Sequence, residues 1–268
     1  MIRVHHFKSK TNFGDQLVTP IIKWICGEDT LWVTSQQKGK LLCIGSELAP
    51  ISFEEQHRGV LKENDVVWGY GAKRPVPIIV PKGAVILATR GKYTADLLRG
   101  VKKPTVFGDP ALLISNVFKA PTRTEQYEIG ILPHFTDAKY FTHIRHPRVK
   151  VMDILSDKWG IIRDMHKCRI IMSTSLHGCI VAEAYGLPVV WMETAKSIVG
   201  GFEFKWNDYF SGTGRGPLKP NKLPLHMALK DLGKIKNNWL PKPEIDTTGI
   251  VSAWKEFYKS DGIDALRC

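Results

Sequence analysis

The stretch from Cys168 to Trp191, Cys-Arg-Ile-Ile-Met-Ser-Thr-Ser-Leu-His-Gly-Cys-Ile-Val-Ala-Glu-Ala-Tyr-Gly-Leu-Pro-Val-Val-Trp, constrains the fold of this chain more than any other. Ile170 to Met172 form a short apolar run of the kind that makes a strand buried on both faces. Ser173, Thr174 and Ser175 then supply N-cap side chains for a helix predicted to run to Tyr185. Gly186 provides a left-handed stop, and Pro188 bars continuation before a second strand opens at Val189. The sentence is strand–turn–helix–turn–strand, and it puts His177 in the first helical turn at the carboxyl end of a parallel strand. Open α/β sheets bind ligands there, and the free N–H groups of the helix favour an anion.

The same rhythm recurs along the chain. Strands are predicted at Arg3–Phe7, Leu41–Ile44, Val66–Trp68, Val85–Ala88, Thr105–Phe107, Glu128–Leu132, Lys150–Ile154, Arg169–Met172 and Val189–Trp191. Several end in glycine turns, the signature of βα units around a mostly parallel sheet. A length of 268 residues allows one large domain or two lobes of roughly 100–150 residues. The polar segment Lys119–Gln126 marks a boundary, giving an α/β protein with two Rossmann-like lobes, residues 1–122 and 123–268, and a cleft between them. Ser211–Pro224 reads as a surface loop. Ile250, Val251, Ala253, Trp254, Phe257 and Tyr258 recur at helical spacing, so a last helix is expected to pack onto one lobe.

Composition bounds the partners. The formal net charge is +12, from 38 Lys and Arg against 26 Asp and Glu. That excess favours anionic partners: a phosphorylated metabolite, a nucleotide- or lipid-pyrophosphate-linked substrate, an anionic membrane face. The basic residues form neither a dense stripe nor an aromatic-interleaved strand motif, so nucleic acid is not expected. No apolar run reaches the ~18 residues of a membrane span, and the first residues lack a signal-peptide core; a cytoplasmic protein, with at most peripheral contact with the membrane, is the expectation. Cys26, Cys43, Cys168, Cys179 and Cys268 are scattered, without metal-ligand spacing, and read as reduced thiols.

Turns after strands supply the candidate site residues. Asn12, Gly14 and Asp15 follow the first strand, either as a structural Asx-turn or as a binding loop. Gly45-Ser46 and Gly69-Tyr70-Gly71 follow two more, as tight turns or as N–H donors to an oxyanion. Neither fits a dinucleotide or phosphate-loop fingerprint, so no nicotinamide, ATP or other cofactor is expected. Arg90 sits between a strand and a helix start, where a guanidinium needs an anion to offset the positive helix end; it reads as a carboxylate or phosphate clamp. Asp109-Pro110 follows a further strand as a turn. His134 falls at the carboxyl edge of its strand, and Ser175, Leu176, His177 and Gly178 complete the set. No metal site is predicted.

In order, Asn12-Phe-Gly-Asp15, Gly45-Ser-Glu-Leu48, Gly69-Tyr-Gly71, Arg90-Gly with Thr94, Gly108-Asp-Pro-Ala-Leu112, Ile131-Leu-Pro-His134 and Ser173-Thr-Ser-Leu-His-Gly178 resemble the polysaccharide pyruvyl transferase family, over roughly residues 4 to 192. The resemblance implies two GT-B-like lobes, the first on the acceptor side and the second holding the donor anion. It also implies transfer of the enolpyruvyl group of phosphoenolpyruvate onto two hydroxyls of one sugar, forming a cyclic ketal and releasing phosphate. The acceptor would be a sugar of a polysaccharide or its precursor, including a lipid-linked oligosaccharide. Under it His177 is the first acid–base candidate, His134 the second, and Asp15 or Asp109 orients the acceptor, unless Asp109-Pro110 only forms a turn. Where the family often has Arg-Leu-His, this chain has Ser175-Leu176-His177, so Arg90, the helix N-terminus or another cation such as Arg74 would supply the missing charge. The chain is also short for the family, which implies trimmed loops or a narrow acceptor site. Two other readings compete: a GT-B-type glycosyltransferase using a nucleotide-sugar, and a non-catalytic subunit that binds glycan or anion.

Overall fold

A computed structural model of the protein describes residues 1–7, 12–50, 59–194, 202–224 and 228–268. Two five-stranded sheets organise it, every pairing in them parallel. The first holds β1 (Ile2–Val4), β2 (Thr30–Trp32), β3 (Leu41–Leu42), β4 (Val66–Tyr70) and β6 (Val85–Thr89). The second holds β8 (Tyr127–Leu132), β9 (Val149–Val151), β10 (Cys168–Ser173), β11 (Val189–Thr194) and β12 (Asn221–Leu223). A separate ladder pairs β5 (Ile78–Ile79) with β7 (Leu98–Arg99). The central strands are apolar almost throughout; β4 is buried at all its positions and β10 at all but Arg169. Helices on both faces of a parallel sheet require this.

Helices α1 (Val18–Cys26), α2 (Lys92–Leu97), α3 (Ile114–Val117), α4 (Lys158–Met165), α5 (Leu176–Ala184), α6 (Phe202–Gly212), α7 (Leu229–Ile235) and α8 (Thr248–Lys259) surround the sheets. The α/β class with Rossmann-like, GT-B-like lobes therefore stands as the sequence predicts. One apolar cluster runs through both halves, from Ile21 and Trp68 to Cys179 and Trp191. Cys43, Cys168 and Cys179 are buried, and all five thiols are free.

The two sheets share one strand order. The first runs β2-β1-β3-β4-β6 and the second β9-β8-β10-β11-β12. Counted within each sheet, both are 2-1-3-4-5. In such a sheet the chain leaves the first strand in one direction and returns for the third in the other, opening a crevice at their carboxyl ends. The crevice of the first sheet lies between the segments after β1 and β3; that of the second lies between the segments after β8 and β10.

Local differences from the sequence reading have physical causes. Thr105–Phe107 forms no named strand; Phe107 makes a single bridge to Thr89, between Pro104 and the Gly108-Asp109-Pro110 turn. Within the expected 211–224 loop, Asn221–Leu223 pairs with Met192–Thr194 as an edge strand, which Pro220 and Pro224 permit by flanking it. The first helix begins at Val18 after a 3-10 turn, so Pro20 is its third residue. The last helix, α8, crosses back to the first sheet: Trp68 Nε1–H donates to the Ile250 carbonyl at 2.8 Å, and the Trp68 and Trp254 rings lie 4.9 Å apart.

Helix α6 had no counterpart in the sequence reading, and it packs unusually close to α2. A Cβ built on Gly91 would lie 1.7 Å from the Asp208 carbonyl oxygen, and one on Gly212 would lie 2.3 Å from that of Arg90. Gly91→Ala should accordingly force the helices apart and lower stability by about 1–3 kcal/mol. Gly216 has no atom within 4 Å of such a Cβ, so Gly216→Ala is expected to change stability by less than about 1 kcal/mol. Urea unfolding of the two variants makes the comparison; equal midpoints would refute the contact.

Candidate active site

Both crevices open into one cavity of about 190 Å³. Asn12 and Asp15 line it from the segment after β1, and Gly45, Ser46 and Glu47 from the segment after β3. His134, Phe135 and Thr136 enter after β8, and Ser175, Leu176 and His177 after β10. Phe7, Tyr70, Lys73 and Lys205 complete the wall. Eight residues expected at the site are therefore brought together here: Asn12, Asp15, Gly45, Ser46, His134, Ser175, Leu176 and His177.

Ser175 caps α5; its Oγ accepts from the Gly178 N–H at 3.4 Å, and its own N–H donates to Ser173 Oγ at 3.0 Å. That turn fixes His177 as the second helical residue. Gly14 makes room for the imidazole, since a Cβ there would meet Nδ1 at 2.2 Å. On the other side, Nε2 lies 3.7 Å from Oδ2 of Asp109. Glu183, later in the same helix, faces away from this chemistry and binds Arg215 through both carboxylate oxygens, at 2.7 and 3.0 Å.

The expected clamp, Arg90, is not on the cavity wall. It is fully buried. Nε and Nη2 reach Asp208 Oδ2 at 3.0 Å each, Nη1 reaches Ser46 Oγ at 2.6 Å and the Gly45 carbonyl at 3.3 Å, and Nη2 reaches the Ala72 carbonyl at 2.7 Å. A guanidinium has five N–H donors; four make hydrogen bonds here, and Nη2 also pairs with the Asp208 carboxylate. Arg90 holds the wall instead of the ligand. Gly71 and Gly69 are likewise packing positions: a Cβ on Gly71 would strike Arg90 Cζ at 2.1 Å, and one on Gly69 (φ +78°) would strike Pro110 Cδ at 2.3 Å. Gly178 sits tight against Ser173 and Leu132. Asp109 is fully buried and meets His177 rather than the cavity.

The cations at the wall are Lys73 and Lys205, neither of which the sequence reading named. Lys73 follows the Gly69-Tyr-Gly71 turn next to Arg74, which was considered. Lys205 belongs to α6, where Trp206, Tyr209 and Phe210 are interleaved with the buried polar residues Asn207 and Asp208, so no clean apolar period marks the helix. Burial, then the positive charges of Arg90 and Lys73, push the Lys205 ammonium down to about 7, against a smaller opposing pull from Asp137. Burial also lowers His134, to about 3, assisted by Lys205, Lys73 and His177. Its imidazole is thus neutral at physiological pH. Its Nδ1 lies 2.7 Å from Thr136 Oγ1 and 3.4 Å from the Thr136 backbone nitrogen. Burial raises Asp15 to about 7, with the Asn12 amide at 2.6 Å pulling the other way and the charge of Glu47 adding to the rise.

A second, wider cavity of about 550 Å³ shares Phe7, Glu47 and Lys73 with the first. Trp32, His5, Thr34, Ser35 and Arg74 line its remainder. The Trp32 ring is pinned by Nε1–H donating to the His6 carbonyl at 3.1 Å.

A sequence profile now connects this geometry to known proteins. Residues 67–196 match the polysaccharide pyruvyl transferase family. The matched span includes His134 and His177, while the segments after β1 and β3 precede it and join it through the cavity. An uncharacterised protein of Acanthamoeba polyphaga mimivirus, L143, is 33% identical over 191 residues, 66% of this chain and 64% of that protein. The succinoglycan biosynthesis protein ExoV of Rhizobium meliloti is 26% identical over 162 residues, 59% of this chain and 50% of that protein. The chain thus spans less than two thirds of the length of either relative. Among the described residues no helix is long and apolar enough to cross a membrane.

The charge of the inner cavity should turn over near neutrality. Below about pH 7 Lys205 carries its proton and Asp15 is uncharged; above it Lys205 is neutral and Asp15 negative. Both changes disfavour an anion as pH rises. Sulfate keeps a constant charge over this range, and its dissociation constant should rise at least about tenfold between pH 6 and pH 8, roughly one pKa unit of coupling. Titration calorimetry measures it. Lys205→Met should weaken sulfate binding at pH 6 and flatten the profile; an unaltered slope would remove Lys205 from the anion site.

Proposed function

We propose that this protein is a pyruvyltransferase that moves the enolpyruvyl group of phosphoenolpyruvate onto two hydroxyls of a sugar in a polysaccharide or its precursor, forming a pyruvate ketal. The observation that carries this reading is the small chamber where the two switch points meet, with cations and acid–base groups on its wall. At about 190 Å³ it is smaller than the ~300–1,000 Å³ typical of drug-sized ligand sites. A compact trianion suits it better than a nucleotide-sugar. The family match and the likeness to a succinoglycan biosynthesis protein support the same class.

Each group then has a task. Lys205, Lys73 and the N–H groups at the start of α5 hold the phosphate and carboxylate of the donor, replacing the charge that Ser175 does not provide. Ser46 Oγ, itself fixed by Arg90, donates from the opposite wall. Protonation of the methylene carbon makes the adjacent carbon electrophilic. Asp15, neutral up to about pH 7, is poised to give that proton. His177 removes the proton of the first attacking hydroxyl. Departure of phosphate then leaves a cationic carbon; the second hydroxyl attacks it, its proton passes to the Asp15 carboxylate, and the ketal closes. His134, neutral at physiological pH, lines the chamber and carries no extra proton to give. The sugar approaches through the wider cavity, where Trp32 and Phe7 offer flat apolar surfaces and Glu47 stands at the junction.

The test is release of inorganic phosphate from phosphoenolpyruvate in the presence of sugar acceptors with neighbouring hydroxyls, together with a new methyl singlet in the proton NMR spectrum of the product. Release of nucleotide from a nucleotide-sugar, with none of phosphate from phosphoenolpyruvate, would replace this reading with a glycosyltransferase. Binding of either without turnover would replace it with a binding subunit. Lys205→Met should raise KM for phosphoenolpyruvate by about 10–100-fold, the loss of one charge-assisted contact; an unchanged KM would exclude its role.

A further inference from the structure

We propose that Asp109 is the positioning partner of His177: its carboxylate holds the Nε2 proton, so that Nδ1 is the nitrogen that exchanges protons with substrate. The role of His177 as the reacting base rests on the pyruvyl-transfer reading; the pairing of the two side chains does not.

Two buried polar atoms point to it. Asp109 Oδ2 and His177 Nε2 are each buried without a hydrogen-bond partner. They face one another across 3.7 Å. A buried polar group left unpaired is costly, and a small rotation of the imidazole would satisfy both at once. An ionised carboxylate oxygen only accepts, so Nε2 must be the donor. The neutral ring then has its lone pair on Nδ1.

The carboxylate is fixed independently of the histidine. Asp109 Oδ1 accepts from the Ala111 N–H at 2.9 Å and caps a short 3-10 turn that Pro110 begins. Gly69 lets this turn approach β4, because any side chain there would collide with Pro110 and the Gly108 carbonyl. The opposite edge of the imidazole lies against Gly14, which admits the ring only because it has no Cβ, and His177 lines the cavity. Sequence motifs at 12–15, 69–71 and 108–112 thus converge on one ring.

The chemistry balances at the ring. As a sugar hydroxyl attacks, its O–H bond breaks and an N–H bond forms at Nδ1, while the oxygen electron pair goes to carbon. The imidazolium keeps its Nε2 proton on Asp109, whose negative charge stabilises it without accepting that proton. Later the same Nδ1 proton is given up to phosphate or solvent, restoring the starting ring.

Asp109→Asn tests the assignment. The asparagine retains a carbonyl oxygen to cap Ala111 and presents an amide N–H₂ to Nε2, which forces the ring proton to Nδ1. Nitrogen-15 NMR of the ligand-free protein, with His177 assigned by its loss in His177→Gln, should show an Nε2–H ring in the wild type and an Nδ1–H ring in the variant. An Nδ1–H ring in the wild type, or the same form in both, would overturn the pairing. The wild-type spectrum decides even if the variant fails to fold. Turnover in Asp109→Asn should fall by about 10²–10⁴-fold, with KM for phosphoenolpyruvate within about threefold; unaltered kcat would overturn the positioning role. Because the spectrum needs no substrate, a reversed ring form in a protein without pyruvyl transfer would reject the reaction and keep the pair.

Discussion

The guanidinium of Arg90 joins pieces of chain that sheet pairing alone does not bring together. Its partners come from the turn after β3, the turn after β4 and helix α6 of the second half. Asp208 on α6 also accepts from the Thr94 N–H and Oγ1, each at 2.7 Å. An ion pair so far from water adds little net stability against an apolar substitute, but losing one partner leaves an uncompensated charge at a cost of about 3–5 kcal/mol. Its value is therefore geometric. It aligns the mouth of the first sheet with that of the second, and it sets α6 so that Lys205, three residues before Asp208 on the same helical face, reaches the cavity.

The same placement sets the electrostatics. Burial is the main cause of both shifts; Arg90 adds to the push on the Lys205 ammonium, and Lys205 and Lys73 add to the push that keeps His134 uncharged. Each cation weakens the next. Such a wall is unfavourable when empty of negative charge, and an anion within it relieves several repulsions together. Asp15 adds to this, since burial holds it protonated up to about pH 7 and so removes a negative charge that would oppose the ligand. Electrostatic preorganisation of this kind is set by the fold before any substrate arrives.

Much of this was legible in the sequence because βα units announce themselves. The Ile170–Met172 run, the Ser175 cap and the Gly186 stop located β10, α5 and His177 within a residue or two, since each signal acts locally. Turn residues 12, 15, 45, 46 and 134 were found for the same reason: a glycine or polar turn after an apolar strand lies at the carboxyl edge of the sheet. What a local signal does not carry is where a long side chain ends. Arg90 has the sequence neighbourhood of an anion clamp, and only the distant Asp208 diverts it. Gly69 and Gly71 have the look of ligand-binding turns, yet the atoms they admit belong to Pro110 and Arg90. Lys205 lay hidden because α6 mixes buried aromatic residues with buried polar ones, so its period is blurred. Asn221–Leu223, short and bounded by prolines, has too few residues for an alternation to show.

The serine at position 175 fits this rearrangement. As an N-cap its hydroxyl accepts from the Gly178 N–H, a bond that an arginine side chain, which has only donors, does not make. A serine cap is worth about 1 kcal/mol relative to alanine, and a fixed positive charge beside the positive end of α5 would be unfavourable without its anion. With Lys205 and Lys73 at the wall, the charge instead reaches the cavity from α6 and from the turn after β4. The helix start keeps its cap, and the cation moves to a residue whose proton is shed readily near neutral pH. Charge at this site thus depends on pH where an arginine would hold it constant, which ties anion recognition here to the packing of α6 against α2.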